Sequence, residues 1–413
     1  METIDISELK PGMFVVGVTK QTGHIKIKNQ GWVKTQGSIQ NLRNSGVRAV
    51  EIDPDKTLKA SSEDKQPDET KPAANTQATD ESQADINIQS SKPDPWHKST
   101  SIENELDKAN ALYQQAKTLQ QKTFFDLKAG KQLDLTPFQD TASALIDSIF
   151  RNQDALACIA QIKEKDAYLL EHSINVAIIS SIFAKHLSLE REIIEQITTG
   201  ALLHDIGKIQ IPDKILHKPS ALTPDEYEQI KQHARYSHDI VKNAKLGKIA
   251  CEIAAFHHER LDGSGYPFGK VAAELPQYVR MVAIVDSYDA ITADRVYKVG
   301  KTPVAAFKIL REQVPDKYDE SLLNAFIHCL GVYPVGTLVK LKSQRVGVIS
   351  QSNPDNPLKP VVKIFYHAKN MLNTEVKDID LSSKRIDDEI EAAIKPEEFN
   401  LHLLKFFKHS MLP

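Results

Sequence analysis

The spacing of apolar residues changes twice along the chain, and each change predicts a different kind of element. Near the N-terminus, the runs Phe14–Val18 and Val47–Ile52 are rich in β-branched residues and lie close to glycines, as strands often do. From about residue 100 to residue 331, apolar positions recur three and four residues apart, which indicates amphipathic helices. Beyond residue 331 the strand pattern returns, in Leu338–Leu341, Val346–Ile349 and Pro360–Phe365.

These patterns predict a mainly α fold, in which an all-helical domain follows a small N-terminal α/β module and precedes a small C-terminal β appendage. The N-terminal module covers 1–53 and includes a short helix over 34–44. A helical connector covers 100–136, and the all-helical domain covers 137–331. The remaining residues, 332–413, form the β appendage and a helical tail.

Residues 54–99 differ in composition from the segments on either side. Between Ser61 and Pro95 there are eight acidic residues, four prolines and no aromatic residue. A segment of this composition buries too little apolar surface to offset the entropy of an ordered chain. We therefore expect a disordered acidic linker.

The connector carries one apolar stripe along an otherwise polar helix over 100–129. Such a stripe is normally covered by another surface. Two arrangements remain open: coiled-coil-like pairing with a second copy, which would make a homodimer, and packing on the following domain. The stripe consists of Ile102, Leu106, Ala109, Leu112, Ala116 and Leu119.

Composition excludes several classes of function. With 52 basic and 55 acidic residues, the net charge of −3 argues against nucleic-acid binding by a broadly basic surface. No apolar run approaches the length of about 18 residues that a membrane span needs, and the N-terminus lacks the pattern of a secretory signal. The three cysteines are too few and too scattered for a disulfide framework or a cysteine zinc site. We expect a reduced, cytoplasmic protein.

Seven ionisable residues occupy helix faces that are otherwise apolar. His172, for example, shares a face with Val176, Ile179 and Phe183. One histidine in such a place is usually a hydrogen-bonded core residue, but five histidines and two aspartates are hard to explain as core filling, because buried charges need partners. A metal site explains the whole set better. The set comprises His172, His204, Asp205, His233, His257, His258 and Asp286.

The mixture of imidazole and carboxylate ligands suits first-row transition metals better than Mg²⁺ or Ca²⁺. Seven candidate ligands are too many for one tetrahedral ion and match two ions that share a carboxylate. Paired ions of this kind suit the hydrolysis of phosphate esters.

Three motifs in this region resemble those of a known family. His204–Ile209 (HDIGKI) resembles the HD motif of the metal-dependent phosphohydrolase superfamily. His257–Pro267 (HHERLDGSGYP) is similar to the signature of its HD-GYP subfamily, and Asp286–Arg295 (DSYDAITADR) is similar to the last motif of that subfamily. The resemblance covers about 150–330. The segment 4–53 resembles an uncharacterised module that often precedes such domains.

The resemblance implies an all-helical HD-type catalytic domain and a phosphodiesterase that hydrolyses the bacterial second messenger cyclic di-GMP to linear pGpG, to GMP or to both. It implies two divalent ions, iron or manganese, with a water between them that attacks phosphorus. One ion would be held by His172, His204, Asp205 and Asp286, and the other by Asp205, His233, His257 and His258, so that Asp205 bridges them.

The resemblance also implies roles outside the ligand set. Lys208, one turn after His204, would bind the phosphate and stabilise negative charge in the transition state. Residues implied near the substrate are Tyr266, Arg295, Lys298, Asp166 and Asp289. Asp289 has a second possible role, which is to support a metal ligand by a hydrogen bond.

Two differences from the family pattern matter for the site. Ser237 stands where the family usually has glycine, and no ligand is lost by this change. Some members hold a third ion through a glutamate four residues before the first motif histidine, but here that position is Tyr168, a poor ligand at neutral pH. We therefore expect two ions.

Two alternative functions remain open beside hydrolysis of cyclic di-GMP. One is a non-catalytic receptor that binds cyclic di-GMP and passes the signal to a partner, such as a GGDEF-type or other signalling protein. The other is a phosphodiesterase for a different cyclic dinucleotide. The presence of all seven ligands favours an enzyme over a receptor.

Overall fold

The structure, a computed structural model, contains two units that are described separately, one within residues 1–81 and one within residues 82–413. The residues described are 2–10, 13–21, 31–33, 39, 43, 47–54, 98–161, 168–218, 220–294 and 299–399.

The first unit contains an antiparallel sheet. Its strands are β1 (Glu2–Asp5), β2 (Phe14–Gln21), β3 (Gly31–Trp32) and β4 (Val47–Ile52), in the spatial order β1-β4-β2-β3. The strands expected near Phe14 and Val47 are therefore confirmed. Of the helix expected over 34–44, only residues 39 and 43 are described, and 55–97 of the expected linker lie outside the described residues. Side chains from β2, β4 and neighbouring segments form its small core: Ile6, Leu9, Val15, Val33, Ile39, Val47, Val50 and Ile52.

Helices dominate the described residues between 102 and 330 of the second unit, as the apolar spacing predicts. Two short 3₁₀ helices, Ile206–Gln210 and Ala272–Glu274, interrupt the α-helices. The α-helices are α1 (Ile102–Lys128), α2 (Thr136–Gln161), α3 (Tyr168–His186), α4 (Arg191–Leu203), α5 (Asp213–Leu216), α6 (Pro224–Lys231), α7 (His233–Asn243), α8 (Lys248–Phe256), α9 (Gln277–Thr292), α10 (Pro303–Arg311) and α11 (Glu320–Leu330).

Helix α1 is the expected connector, and it packs on the helices that follow it. Ser101 caps its N-terminus by accepting a hydrogen bond from the Asn104 backbone N–H. Its stripe residues Ile102, Leu106 and Ala109 are buried in the same core as α2, α3 and α4. Of the two arrangements open from the sequence, the structure shows packing on the following domain.

The C-terminal strands form a second antiparallel sheet whose apolar face joins the helical core. Its strands are β5 (Leu338–Leu341), β6 (Arg345–Gln351), β7 (Val361–His367), β8 (Leu372–Asp380) and β9 (Ile390–Ala393). They pair in the order β8-β7-β6-β5-β9, and residues from these strands belong to the same buried cluster as the helices. After β9, where the helical tail is expected, Pro396–Phe399 form a short 3₁₀ helix, and residues 400–413 lie outside the described residues.

Among the described residues, no helix is both long enough and apolar enough to cross a bilayer.

Candidate metal centre

Five helices bring the seven sequence-predicted ligands together. His172 lies one turn inside α3, and Asp286 lies in the middle of α9. The other five stand at helix ends, where the chain turns: His204 and Asp205 follow α4, His233 begins α7, and His257 and His258 follow α8.

Two glycines allow the close approach that this convergence requires. A Cβ atom on Gly200 of α4 would lie 2.8 Å from the Ala250 backbone of α8, so the two helices can meet only with glycine there. A Cβ on Gly207 would lie 2.2 Å from the His233 carbonyl oxygen. The Gly207 N–H also donates to Ser237 Oγ at 2.8 Å, so Ser237 helps to anchor the turn after Asp205 on α7.

One group of candidate ligands surrounds one oxygen of Asp205. His204 Nε2 lies 3.4 Å and His172 Nε2 lies 3.7 Å from Asp205 Oδ2. Asp286 faces the same group, with its Oδ1 3.0 Å from His172 Nε2 and 3.9 Å from His204 Nε2. Four side chains therefore point at one small volume.

The second group surrounds the other oxygen of Asp205. His233 Nε2 lies 3.2 Å and His257 Nε2 lies 3.9 Å from Asp205 Oδ1. His258 completes a candidate ligand set with these three residues, and its Nδ1 also lies 3.5 Å from Asp286 Oδ2. Because each Asp205 oxygen faces a different group of histidines, this carboxylate is placed to be shared between two cations.

Hydrogen bonds on the far sides of three histidines show that these residues fit a metal. Backbone carbonyl oxygens accept from Nδ1 of His204 (Ala201, 2.7 Å) and of His233 (Ile230, 2.7 Å), and His257 Nδ1 is held in the same way. A carbonyl can only accept, so Nδ1 carries the proton and Nε2 of the neutral ring keeps a lone pair.

These lone pairs point at one another and at Asp205. His233 Nε2 and His257 Nε2 lie 3.3 Å apart, and two lone pairs cannot hydrogen-bond to each other. His204 Nε2 and Asp205 Oδ1 are buried and make no well-directed hydrogen bond within the described part of the chain. A cation among them would satisfy all of these atoms at once.

The charge state of the cluster supports the same conclusion. Although burial opposes ionisation, Lys208 and His204 hold the pKa of Asp205 well below its usual range. Burial and the neighbouring histidines lower the pKa of His257, which favours the neutral, ligating form. Against the effect of burial, hydrogen bonds to Asp286 and Asp289 raise the pKa of His172 to about 9, and a bound cation would compete with that proton.

Asp289 supports His172 from behind. Its Oδ2 accepts from His172 Nδ1 at 2.8 Å, which turns Nε2 towards Asp205 and Asp286. The side chain is 0% exposed. The structure therefore shows Asp289 as a buried hydrogen-bond partner of His172, the supporting role that the sequence left open.

We expect Asp289→Ala to lower metal affinity by about 10- to 100-fold, because His172 would lose its orienting partner. Asp289→Asn should have a smaller effect, since its amide oxygen can still accept from Nδ1. Titration of purified protein with Mn²⁺ would measure both variants. Equal losses for alanine and asparagine would show that negative charge, and not orientation, is the contribution of Asp289.

Lys208 lies beside the shared carboxylate. Its ammonium nitrogen is 2.5 Å from Asp205 Oδ2, and the side chain is partly exposed. The amine can therefore reach an oxygen of a ligand bound at the cluster while it remains close to Asp205.

Tyr266 forms one side of the cluster, in a tight turn. Its ring centroid is 4.6 Å from that of His258, and Gly265 permits the turn, because a Cβ there would lie 2.4 Å from the Glu259 backbone. Burial raises the pKa of the Tyr266 phenol, so the hydroxyl stays protonated at neutral pH.

Sequence reasoning missed Glu259, which holds this turn in place. Its two carboxylate oxygens accept from the backbone N–H groups of Phe268 (2.7 Å) and Lys270 (3.0 Å), and the side chain is only 2% exposed. An acidic residue beside His257-His258 was visible in the sequence, but its hydrogen bonds to a loop nine and eleven residues away were not.

Three sequence-predicted substrate residues cannot be placed. Asp166, Arg295 and Lys298 lie outside the described residues.

Family models match both parts of the chain. The model of the HD domain matches residues 157–322, and a model described as a domain of unknown function matches residues 1–138.

Relatives with curated names resemble the chain over different lengths. A cyclic di-GMP phosphodiesterase from Pseudomonas aeruginosa is 30% identical over 98% of this chain and 94% of that protein. A protein from Thermotoga maritima, also named cyclic di-GMP phosphodiesterase, is 35% identical over 44% of this chain and 49% of its own length. A 3′3′-cGAMP-specific phosphodiesterase from Vibrio cholerae is 34% identical over 45% of this chain and 42% of that protein. Half or less of the last two proteins is therefore matched.

Proposed function

The chain belongs to the HD-GYP family of metal-dependent phosphohydrolases, and we propose that it hydrolyses cyclic di-GMP to linear pGpG, GMP or both. The observation that carries the proposal is the set of Nε2 lone pairs of His204, His233 and His257 around Asp205. Such a set has little use in a protein core, whereas it fits the demands of paired cations.

We assign the ions to the two groups that share Asp205. His172, His204 and Asp286 complete one group, and His233, His257 and His258 complete the other. Imidazoles mixed with carboxylates favour iron or manganese over magnesium. When bound, such ions supply polarisation of the phosphoryl oxygens and lower the pKa of water at the site.

The protein's own groups bind and orient the substrate in this proposal. Lys208 offers its ammonium to a phosphoryl oxygen as negative charge grows there. Tyr266 closes the side of the site next to His258, and Glu259 keeps the Tyr266 turn in place. Asp289 keeps His172 in its ligating orientation.

The direct test uses protein purified without oxygen and loaded with Fe²⁺ or Mn²⁺. Incubation with cyclic di-GMP should yield pGpG or GMP, separated by chromatography. Binding of cyclic di-GMP by metal-loaded protein without any product would support the receptor alternative and contradict the proposal.

A second candidate substrate is 3′3′-cGAMP, because a Vibrio cholerae relative carries that specificity in its name. Hydrolysis of both dinucleotides under the same conditions would be compared by kcat/KM. We expect cyclic di-GMP to be preferred, in line with the relative that matches nearly the whole chain. A preference for 3′3′-cGAMP would contradict the proposed substrate, while the proposed class of enzyme, a cyclic dinucleotide phosphodiesterase, would stand.

Lys208→Met should lower kcat by about 100-fold, which is the scale observed when one group that stabilises transition-state charge is removed. Metal content should stay the same, because the ammonium is not a ligand and repels cations at Asp205. The exposed Lys214 provides the matched control, Lys214→Met, which should keep full activity. Loss of metal from Lys208→Met, measured by elemental analysis, would contradict this role.

A further inference from the structure

A row of aromatic and basic side chains lies beside the metal centre. Tyr227, Lys231 and Arg235 are spaced four residues apart on α6 and α7, and Gln232 between these helices keeps helical dihedral angles (φ −64°, ψ −18°). Side chains at this spacing share one helix face. The three residues therefore form one edge along the helices that lead to and carry His233.

Each basic residue in this row contacts an aromatic ring. Lys231 Nζ lies 4.9 Å from the ring centroid of Tyr227 and 5.7 Å from that of Tyr266. The Arg235 guanidinium lies 4.9 Å from the ring centroid of Phe268, and it donates to the Pro267 carbonyl oxygen at 3.0 Å. Arg235 thus secures the turn that carries Tyr266, while Lys231 joins Tyr266 to Tyr227.

The row reaches the candidate ligands through Tyr266. The Tyr266 ring centroid is 4.6 Å from that of His258 and 6.2 Å from that of His233. Tyr227 lies beyond Lys231 and is 47% exposed. The exposed Tyr227 ring, with the Lys231 ammonium against it, is therefore separated from the candidate ligand His258 only by Lys231 and Tyr266.

The ordinary explanation for such residues is a solvated surface, since single exposed aromatics are common. Glu228 also pairs with Lys231 at 2.6 Å and reduces its free charge. Glu228 is itself well exposed, however, and an exposed ion pair of this kind contributes little, so the lysine can exchange this partner for a phosphate oxygen.

We propose that Tyr227 and Lys231 form a subsite that binds one purine base of the substrate, with the base stacked on Tyr227 and an adjacent phosphate near Lys231. The inference rests on the proposed function, because a phosphate held at the metal centre brings its own nucleoside to the edge of the cluster. Bases stack on exposed aromatic rings whatever their identity, and nearby cations add to the attraction. The subsite therefore distinguishes a nucleotide from a simple phosphodiester and does not distinguish guanine from adenine.

The test compares two substrates on metal-loaded protein: cyclic di-GMP, and bis(4-nitrophenyl) phosphate, which has no purine. Tyr227→Ala should raise KM for cyclic di-GMP by about ten-fold, within the range for loss of one stacked base, and leave kcat nearly unchanged. Tyr227→Phe should restore the KM, since the ring is kept. Lys231→Met should raise the same KM. Both changes should affect the hydrolysis of the simple diester less, because its nitrophenyl rings offer a smaller stacking area than a purine does.

Phe150 provides a matched control, because it is a 40% exposed aromatic ring with Lys185 5.4 Å from its centroid. Lys185 is thirteen residues after His172, about 20 Å further along α3, so Phe150→Ala should leave both substrates unaffected.

The outcomes separate the subsite from the function on which it rests. An unchanged KM for cyclic di-GMP in Tyr227→Ala, or an equal change for both substrates, would overturn the subsite alone. If the unmodified protein cleaves bis(4-nitrophenyl) phosphate but neither cyclic dinucleotide, the proposed function fails and the subsite fails with it.

Discussion

Replacing Asp205 by asparagine or alanine should reduce turnover of cyclic di-GMP by about a thousandfold or more, since metal ions contribute several kcal/mol to such reactions. Asp205 Oδ1 faces His233 and His257, while Oδ2 faces the group that contains His172 and His204. A change at this one residue therefore disturbs both candidate ion sites. Elemental analysis should show fewer than one tightly bound ion per chain, together with the loss of activity.

The control is Asp239→Asn, a well-exposed aspartate on α7, which should keep both metal and activity. His204→Ala should reproduce most of the effect of Asp205→Ala on turnover. A variant at Asp205 that keeps two ions and near-normal turnover would contradict the shared role of its carboxylate.

The ligand set could be predicted from the sequence because its signal is local. Each of His172 and Asp286 interrupts an apolar face at helical spacing, and such a face turns towards the core whatever the tertiary details. The helical character of 100–331 was predictable for the same reason. Strand runs such as Val47–Ile52 were also visible, since a run of β-branched residues directly after a glycine needs no long-range information.

Contacts between distant segments were not predictable in this way. The periodicity of α1 shows an apolar stripe but cannot distinguish a second copy from α2 as the covering surface. Glu259 and Asp289 act through hydrogen bonds to Phe268 and His172, whose geometry depends on how loops and helices pack. Tyr227 and Lys231 are four residues apart in the sequence, but only the packing of Tyr266 on His258 places them beside the cluster.

Removal of metal should abolish turnover completely, and two divalent ions per chain should restore it. The expected number follows from the residues around His172. Where a third ion would need a glutamate, the chain has Tyr168, the first residue of α3 and one turn before His172. A phenol with an ordinary pKa of about 10 is a poor ligand for a divalent ion at neutral pH.

The nearest alternative acid is already engaged elsewhere. Glu171 is adjacent to His172 but points about 100° away around the helix, since a helix has 3.6 residues per turn. It is buried and accepts from Lys117 Nζ of α1 at 2.9 Å. Moving this carboxylate to an added ion would leave the Lys117 ammonium without this carboxylate, an unfavourable exchange.

Protein treated with chelator and dialysed should therefore be inactive and should unfold at a lower temperature, because ions that bind only the folded chain stabilise it. Titration with Mn²⁺ or, without oxygen, with Fe²⁺ should restore activity and melting temperature together, with a break at two equivalents. Tyr168→Phe should show the same break, since the phenol oxygen is not a ligand. A break at three equivalents that returns to two in Tyr168→Phe would contradict the two-ion assignment.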